Sequence, residues 1–189
     1  MTYELGQRVS VGIDLSLTNT GIAIWTEGDD VGLHSIKSSG HKGDTLAQRY
    51  QRLNGIADEV MSSMPRAGKV SVCIEAPSFN STGGHSHDRS GLWWTVLNAL
   101  TAHEYPVTEV SPTQVKVFAT GKGNASKGAV VDAVARRWPH VATNGDDNLA
   151  DALVLATIGA ARRGFTDVVD LPLTHTRALD TIKWGWQRI

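Results

Sequence analysis

The sequence predicts an α/β protein built on a mixed five-stranded sheet flanked by helices, and three observations carry that reading. Residues 9–25 run from an apolar stretch through Asp14 and a Ser/Thr/Asn/Gly turn into a second apolar stretch, the pattern of a tight hairpin. Short apolar strands near 70–74 and 106–110 then alternate with helical periodicities, as crossover units do. A composition of 41% apolar and 20% charged residues over 189 positions suits one globular domain with enough chain to bury a core.

The elements follow in order. Val9, Val11 and Ile13 lead to Asp14, and Ile22, Ala23, Ile24 and Trp25 leave the turn. Val31, Leu33 and Ile36 mark a weaker third strand over 32–38. From Asp44, the residues Leu46, Tyr50, Leu53, Ile56, Ala57, Val60 and Met61 recur at three- and four-residue spacing, and Pro65 and Gly68 end that helix. A strand over 70–74 ends in Glu75, and Pro77 prevents its simple continuation. Residues 78–88 read as a polar glycine-bearing loop, and 89–103 as a helix with Leu92, Val96, Leu97 and Leu100 on one side. A strand at 106–110, a short helix at 112–118, a loop at 121–128 and helices near 129–138 and 147–163 complete the body. The order of elements is β-β-β-α-β-α-β-α-α. Residues 1–164 form the body, and 165–189 form a tail packed on it or at an interface.

Cys73, the only cysteine, lies inside an apolar strand, so a disulfide framework is excluded and a reducing cytoplasm is expected. The N-terminus carries no signal-peptide pattern, and no run approaches the about 20 apolar residues of a membrane helix. A net charge of −1 is not that of a strongly basic nucleic-acid binder, but basic residues gather in 116–127 and in the pairs Arg136-Arg137 and Arg162-Arg163. A local basic face suffices to bind phosphates.

Three acids share a pattern. Asp14 and Glu75 each end an apolar strand, and Asp151 lies within the apolar helical segment 149–156. A charge so placed costs roughly several kcal/mol unless it is paired or holds a metal. If the two strands are neighbours, Asp14 and Glu75 meet at one sheet edge, and a helix packed there adds Asp151. Asp147 and Asn148 precede Asp151 by four and three residues, so either shares its face. Oxygen-rich clusters of this kind suit Mg²⁺ or Mn²⁺. Two such ions about 4 Å apart activate water and stabilise a leaving oxygen in phosphodiester cleavage. Taken singly, each acid also fits a plainer role, as a turn cap or a solvated strand end.

The segments 12–21 (Gly-Ile-Asp-Leu-Ser-Leu-Thr-Asn-Thr-Gly), 74–75 (Ile-Glu), 111–116 (Ser-Pro-Thr-Gln-Val-Lys), 121–127 (Gly-Lys-Gly-Asn-Ala-Ser-Lys) and 150–153 (Ala-Asp-Ala-Leu) together resemble RuvC-type Holliday-junction resolvases of the RNase H-like superfamily. The likeness runs from about residue 9 to 163, and its divergence is similar to that of a phage-borne member. It implies an RNase H-like fold and Mg²⁺-dependent hydrolysis of DNA that leaves a 5′-phosphate, with Mn²⁺ able to substitute and two ions per site. It carries Asp14, Glu75 and Asp151 over as metal ligands, Asp14 bridging the ions. The family's fourth ligand falls three residues before Asp151, at Asn148, so Asp147 and Asn148 compete for that role. The resemblance also implies a homodimer acting on four-way or related branched DNA in the cytoplasm, of the host cell if phage-encoded.

Lys116 and Lys127 match family lysines near the scissile phosphate, where a cation neutralises charge developing in the transition state. Lys122 is a further DNA-contact candidate. Segment 121–127 is not a nucleotide-binding Walker A loop, since Ser126 rather than Gly precedes the lysine and no Ser or Thr follows it. Phe79 falls where the family stacks an aromatic at the opened junction; a buried loop anchor is the other reading. His85, His87 and Asp88 fit a solvated or DNA-facing loop better than a metal site. Trp93 and Trp94 belong to the core or a dimer interface, and Trp184 and Trp186 pack the tail or meet a partner.

Segment 14–21 also resembles the first phosphate loop of actin-like and Hsp70-like ATPases. Those proteins need a second such domain and a second phosphate loop, which this chain lacks. Asn148 motivates a non-catalytic alternative, a junction-binding protein with an incomplete metal site. Forks, flaps or RNA–DNA hybrids compete with the four-way junction as substrate.

Overall fold

Alternation along the first strand sets the architecture. In β1 (Arg8–Asp14), Val9, Val11 and Ile13 face one side of the sheet, while Ser10, Gly12 and Asp14 face the other. The computed structural model describes residues 6–29, 31–77, 85–168 and 170–185. The remaining strands are β2 (Asn19–Thr26), β3 (Val31–Lys37), β4 (Lys69–Glu75) and β5 (Val107–Val110), joined in the order β3-β2-β1-β4-β5. β1 pairs antiparallel with β2 and parallel with β4, which pairs parallel with β5. Ile13 lies opposite Ile74, so Asp14 and Glu75 occupy adjacent positions one residue further along.

Two helices cover one face of the sheet, α1 (Leu46–Ser63) and α2 (Ser86–Ala102). They bury Ile56, Val60, Leu92, Val96 and Leu100 against Val9, Val11, Ile22, Ile24, Val72 and Ile74. The other face carries α5 (Asp147–Arg162), with α3 (Pro112–Thr120), α4 (Lys127–Arg137) and α6 (Leu173–Thr181) packed around it. Among the described residues, no helix is long and apolar enough to cross a membrane.

α5 lies on the sheet at unusually short range because β1 offers almost no side chain beneath it. A Cβ at Gly12 would stand 2.0 Å from the Ala152 carbonyl oxygen and 2.4 Å from the Ala156 nitrogen. At Gly21 it would stand 2.3 Å from the Asn148 carbonyl oxygen. Ser10 Oγ donates to the Ala156 carbonyl at 2.7 Å, and Gly159 leaves room for that hydroxyl. Seating the helix this closely buries Leu153, Leu155 and Ile158 completely, each side chain contributing about 1.5–3 kcal/mol. It also brings the Asp151 turn to the sheet edge.

Three expectations are corrected. The 112–118 segment is a full helix to Thr120, and a sixth helix forms in the tail, so the α content exceeds the sequence reading. α2 begins at Ser86, which puts His87 and Asp88 in its first turn rather than in a loop. Leu46 and Tyr50 are not core: the first half of α1 meets polar partners, with Arg49 paired to Asp88 and Arg52 donating to the Leu17 carbonyl. Only Ile56, Ala57 and Val60 of α1 are fully buried.

Candidate active site

The parity of β1 and β4 places Asp14 and Glu75 on the α5 face, where burial alone disfavours their charge. Asp14 is 8% exposed at the last ladder position of β1, opposite Gly21. The turn beyond it closes on its own side chains: Thr20 Oγ1 donates to the Ser16 carbonyl at 2.9 Å and accepts from the Ser16 amide at 3.1 Å. The Asp14 carboxyl hydrogen-bonds to Glu75 instead. Glu75 is held in turn by Trp93, whose indole N–H donates to the Glu75 carbonyl at 2.9 Å. Asp151, in the second turn of α5, faces the same edge, where the charge of Glu75 raises it and its own charge raises Asp14.

Crowding of acids in a dry place raises all three. Burial, then the charge and hydrogen bond of Glu75, then the charge of Asp151, hold Asp14 well above the usual carboxylate range. Burial also lifts Glu75. Asp151 is pushed up to about 7 by burial and then by Glu75.

Two lysines answer this charge. Lys127, the first residue of α4, binds the Asp147 carboxylate at 2.5 Å and is raised mainly by that bond. Its field also lowers Asp14, Glu75 and Asp151. Lys116 on α3 is half-buried and lowers Glu75 and Asp151. Lys122 is exposed in the loop between α3 and α4, and no such effect on the acids links it to them.

Asp147 and Asn148 have different surroundings. Asp147 lies one helical turn before Asp151 and raises it by its charge. The Asp146 carboxylate caps α5 by accepting from the Asn148 and Leu149 backbone amides at 2.9 and 3.2 Å. Asn19 donates to the same Asp146 carboxylate at 2.8 Å and accepts from Ser35 Oγ at 2.6 Å. This Asn19–Asp146 clamp sets where α5 begins and was not singled out from the sequence. The Asp-Asp-Asn run ahead of an apolar helix is the available N-cap signal.

All donors here are hard oxygens, the chemistry of Mg²⁺ or Mn²⁺, and a cation at this edge would relieve the repulsion that raises the acids. Among the described residues no three His, Cys, Asp or Glu side chains form a ready cation cage. Magnesium commonly binds through one or two carboxylates, completing its shell with water and substrate phosphate, so the donor set fits such an ion without a closed cage. Phe79 lies outside the described residues. His85 and His87 are exposed, and Asp88 is taken by Arg49.

No protein-family model matches the chain. It is 26% identical over 157 residues to the crossover junction endodeoxyribonuclease RuvC of Prochlorococcus marinus, covering 79% of this chain and 96% of that relative. The RuvC of Gloeobacter violaceus is 41% identical over 64 residues, a match spanning only 37% of that relative and 34% of this chain. Among solved structures, Thermus thermophilus RuvC superposes with a TM-score of 0.62 at 23% identity, covering 83% of this chain and 97% of that one. The same protein in complex with Holliday junction substrate gives a TM-score of 0.59. The chain shares the fold of RuvC and is similar to it in sequence over most of its length. The RuvC-type sheet and helices are those of the RNase H-like fold, and the edge where Asp14, Glu75 and Asp151 meet lies at the C-terminal ends of its two central parallel strands.

Proposed function

We propose that this chain is a metal-dependent endonuclease that cleaves Holliday junctions. One observation carries the reading: carboxylates from β1, β4 and α5 meet at one sheet edge, within the electrostatic reach of Lys116 and Lys127. The two RuvC relatives named above carry the corresponding activity in their names.

In this reading Asp14, Glu75 and Asp151 hold two Mg²⁺ ions, replaceable by Mn²⁺, and Asp147 is the fourth carboxylate. The ions, when bound, supply the positive charge that activates water and offsets charge on the leaving oxygen. Water adds to the phosphorus and the 3′ oxygen departs, leaving a 5′-phosphate. Lys127 turns from Asp147 toward the phosphate, and Lys116 approaches from α3, both neutralising charge as it develops. Lys122 contacts the DNA backbone further out. Two copies of the chain present two sites to opposed strands.

The test is a substrate panel of four-way junction, fork, flap, RNA–DNA hybrid and duplex, incubated with and without Mg²⁺. Cleavage of the junction in Mg²⁺ is expected, with Asp14→Asn reducing it by about 10³-fold or more while junction binding stays within about twofold. Near-normal cleavage by that variant would sink the assignment. Binding without cleavage in both Mg²⁺ and Mn²⁺ would establish a junction-binding protein instead.

A further inference from the structure

We infer that the tail helix α6 is a positioning element for the lysine side of this site: His175 and Arg177, together with Arg137, cap the C-terminal end of α3 and so fix where Lys116 stands. The inference rests on the endonuclease reading above. It concerns a helix that lies beyond residues 9–163, the span of the sequence motifs.

The last four carbonyls of a helix have no partner within it, and they form the negative end of its dipole. In α3 two of these carbonyls, Phe118 and Ala119, are filled by side chains from outside the helix. The Gly121 amide returns to the Val117 carbonyl at 2.8 Å, through a left-handed turn with φ of 77° that favours glycine. His175 Nδ1 meets the Phe118 carbonyl at 2.9 Å, so Nδ1 carries the proton and donates. Arg137 Nη1 donates to the Ala119 carbonyl at 2.9 Å, and Arg177 Nη2 donates to the Gly121 carbonyl at 3.0 Å. Three basic side chains thus converge on one helix end.

A second tie lies toward the start of α3, where Gln114 Nε2 donates to Thr181 Oγ1 at 3.1 Å. α6 therefore holds α3 at two points along its length, while Ala178 and Ile182 anchor the tail segment itself in the core. The imidazole of His175 also packs against the turn, since a Cβ at Gly121 would stand 3.3 Å from its Nε2. α3 is the helix that presents Lys116, two residues before Phe118, to Glu75 and Asp151. Loss of these bonds lets α3 shift, and misplacing a catalytic group by about 1 Å costs up to about 100-fold in rate.

The experiment measures single-turnover junction cleavage in Mg²⁺ and junction affinity in Ca²⁺ for the full chain and its variants, at a temperature where circular dichroism shows each folded. His175→Ala with Arg177→Ala is expected to slow cleavage about tenfold, with affinity unchanged within about twofold. His175→Asn, whose amide donates toward Phe118 from a similar position, is expected to recover the rate to within about threefold of wild type. In a Lys116→Ala background, His175→Ala should cost less than about twofold, because the two act through one group. Undiminished loss in that background, or a loss seated in affinity, overturns the positioning role. So does a cleavage rate unaffected by the double substitution. Failure of the wild-type chain to cleave junctions defeats the endonuclease reading itself, and this inference with it.

Discussion

Asp14, Glu75 and Asp151 are costly neighbours, and the cost has a sign that can be measured. Asp151 ionises near 7 in the folded chain against an ordinary 3.8, so folding favours its protonated form. Its stabilising contribution is complete below about pH 4 and is lost as pH rises through about 7. Asp14 and Glu75 are displaced in the same direction. In the presence of a chelator, Asp151→Asn should therefore be more stable than wild type at pH 8 by about 1–3 kcal/mol and melt at a higher temperature, and the gap should close toward pH 4–5. Mg²⁺ should raise the melting temperature of wild type at pH 8 and leave the variant little changed. A variant that melts below wild type at pH 8 would show that Asp151 is not strained. Activity should fall below about pH 7, since each proton held by the acids competes with the cation.

At the scale of elements, the contact of α5 with β1 decides whether a site exists. Gly12 is a place where the Ala152 carbonyl occupies the space of a side chain. Gly12→Ala must lift the helix that carries Asp151, at a cost of about 3 kcal/mol or more. Gly128→Ala, where a Cβ meets nothing within 4 Å, should be neutral or stabilising by about 0.5–1 kcal/mol. Urea unfolding of the two variants checks both, and equal effects would mean that the close approach is not what seats α5. The Asn19–Asp146 clamp works at the same joint, tying the start of α5 to β2. The tail adds its own joints. Trp184 donates to the Leu179 carbonyl at 2.9 Å and lies under the Arg162 guanidinium at 5.3 Å, which fastens the segment after α6 to the end of α5.

For the whole molecule, the face made by α1 and α2 is distinct from the face that carries the acids. Trp93 is buried there, while Trp94 beside it is 65% exposed and stands edge-on to it at 5.0 Å. Leu46 and Tyr50, at the start of α1, are also exposed. A homodimer through this face would place two acidic edges on one assembly, as paired cuts in opposed strands require. Trp94→Glu should then convert the dimer to a monomer in sedimentation velocity and uncouple the two cuts in a junction. A monomeric wild type at assay concentration would refute this arrangement.

Much of this protein was legible in the order of its residues. Apolar runs marked 9–13 and 70–74 as strands, three- and four-residue recurrence marked α1, and a one-sided apolar set marked α2, because such patterns follow from local backbone geometry. The acids at element ends stood out because a charge inside an apolar run needs a partner. Local pattern could not say which partner. Parallel pairing of β1 with β4 and the glycine-floored seat of α5 decided it, since both depend on contacts between residues far apart in the chain. The same long-range contacts exposed Leu46 and Tyr50, whose spacing alone matched a buried face. They also brought Asp147 to Lys127. The tail shows the limit most clearly. Its short helix is seated by Ala178 and Ile182 in the core and by donation to the Phe118 and Gly121 carbonyls at the end of α3, a partnership that only the folded chain assembles.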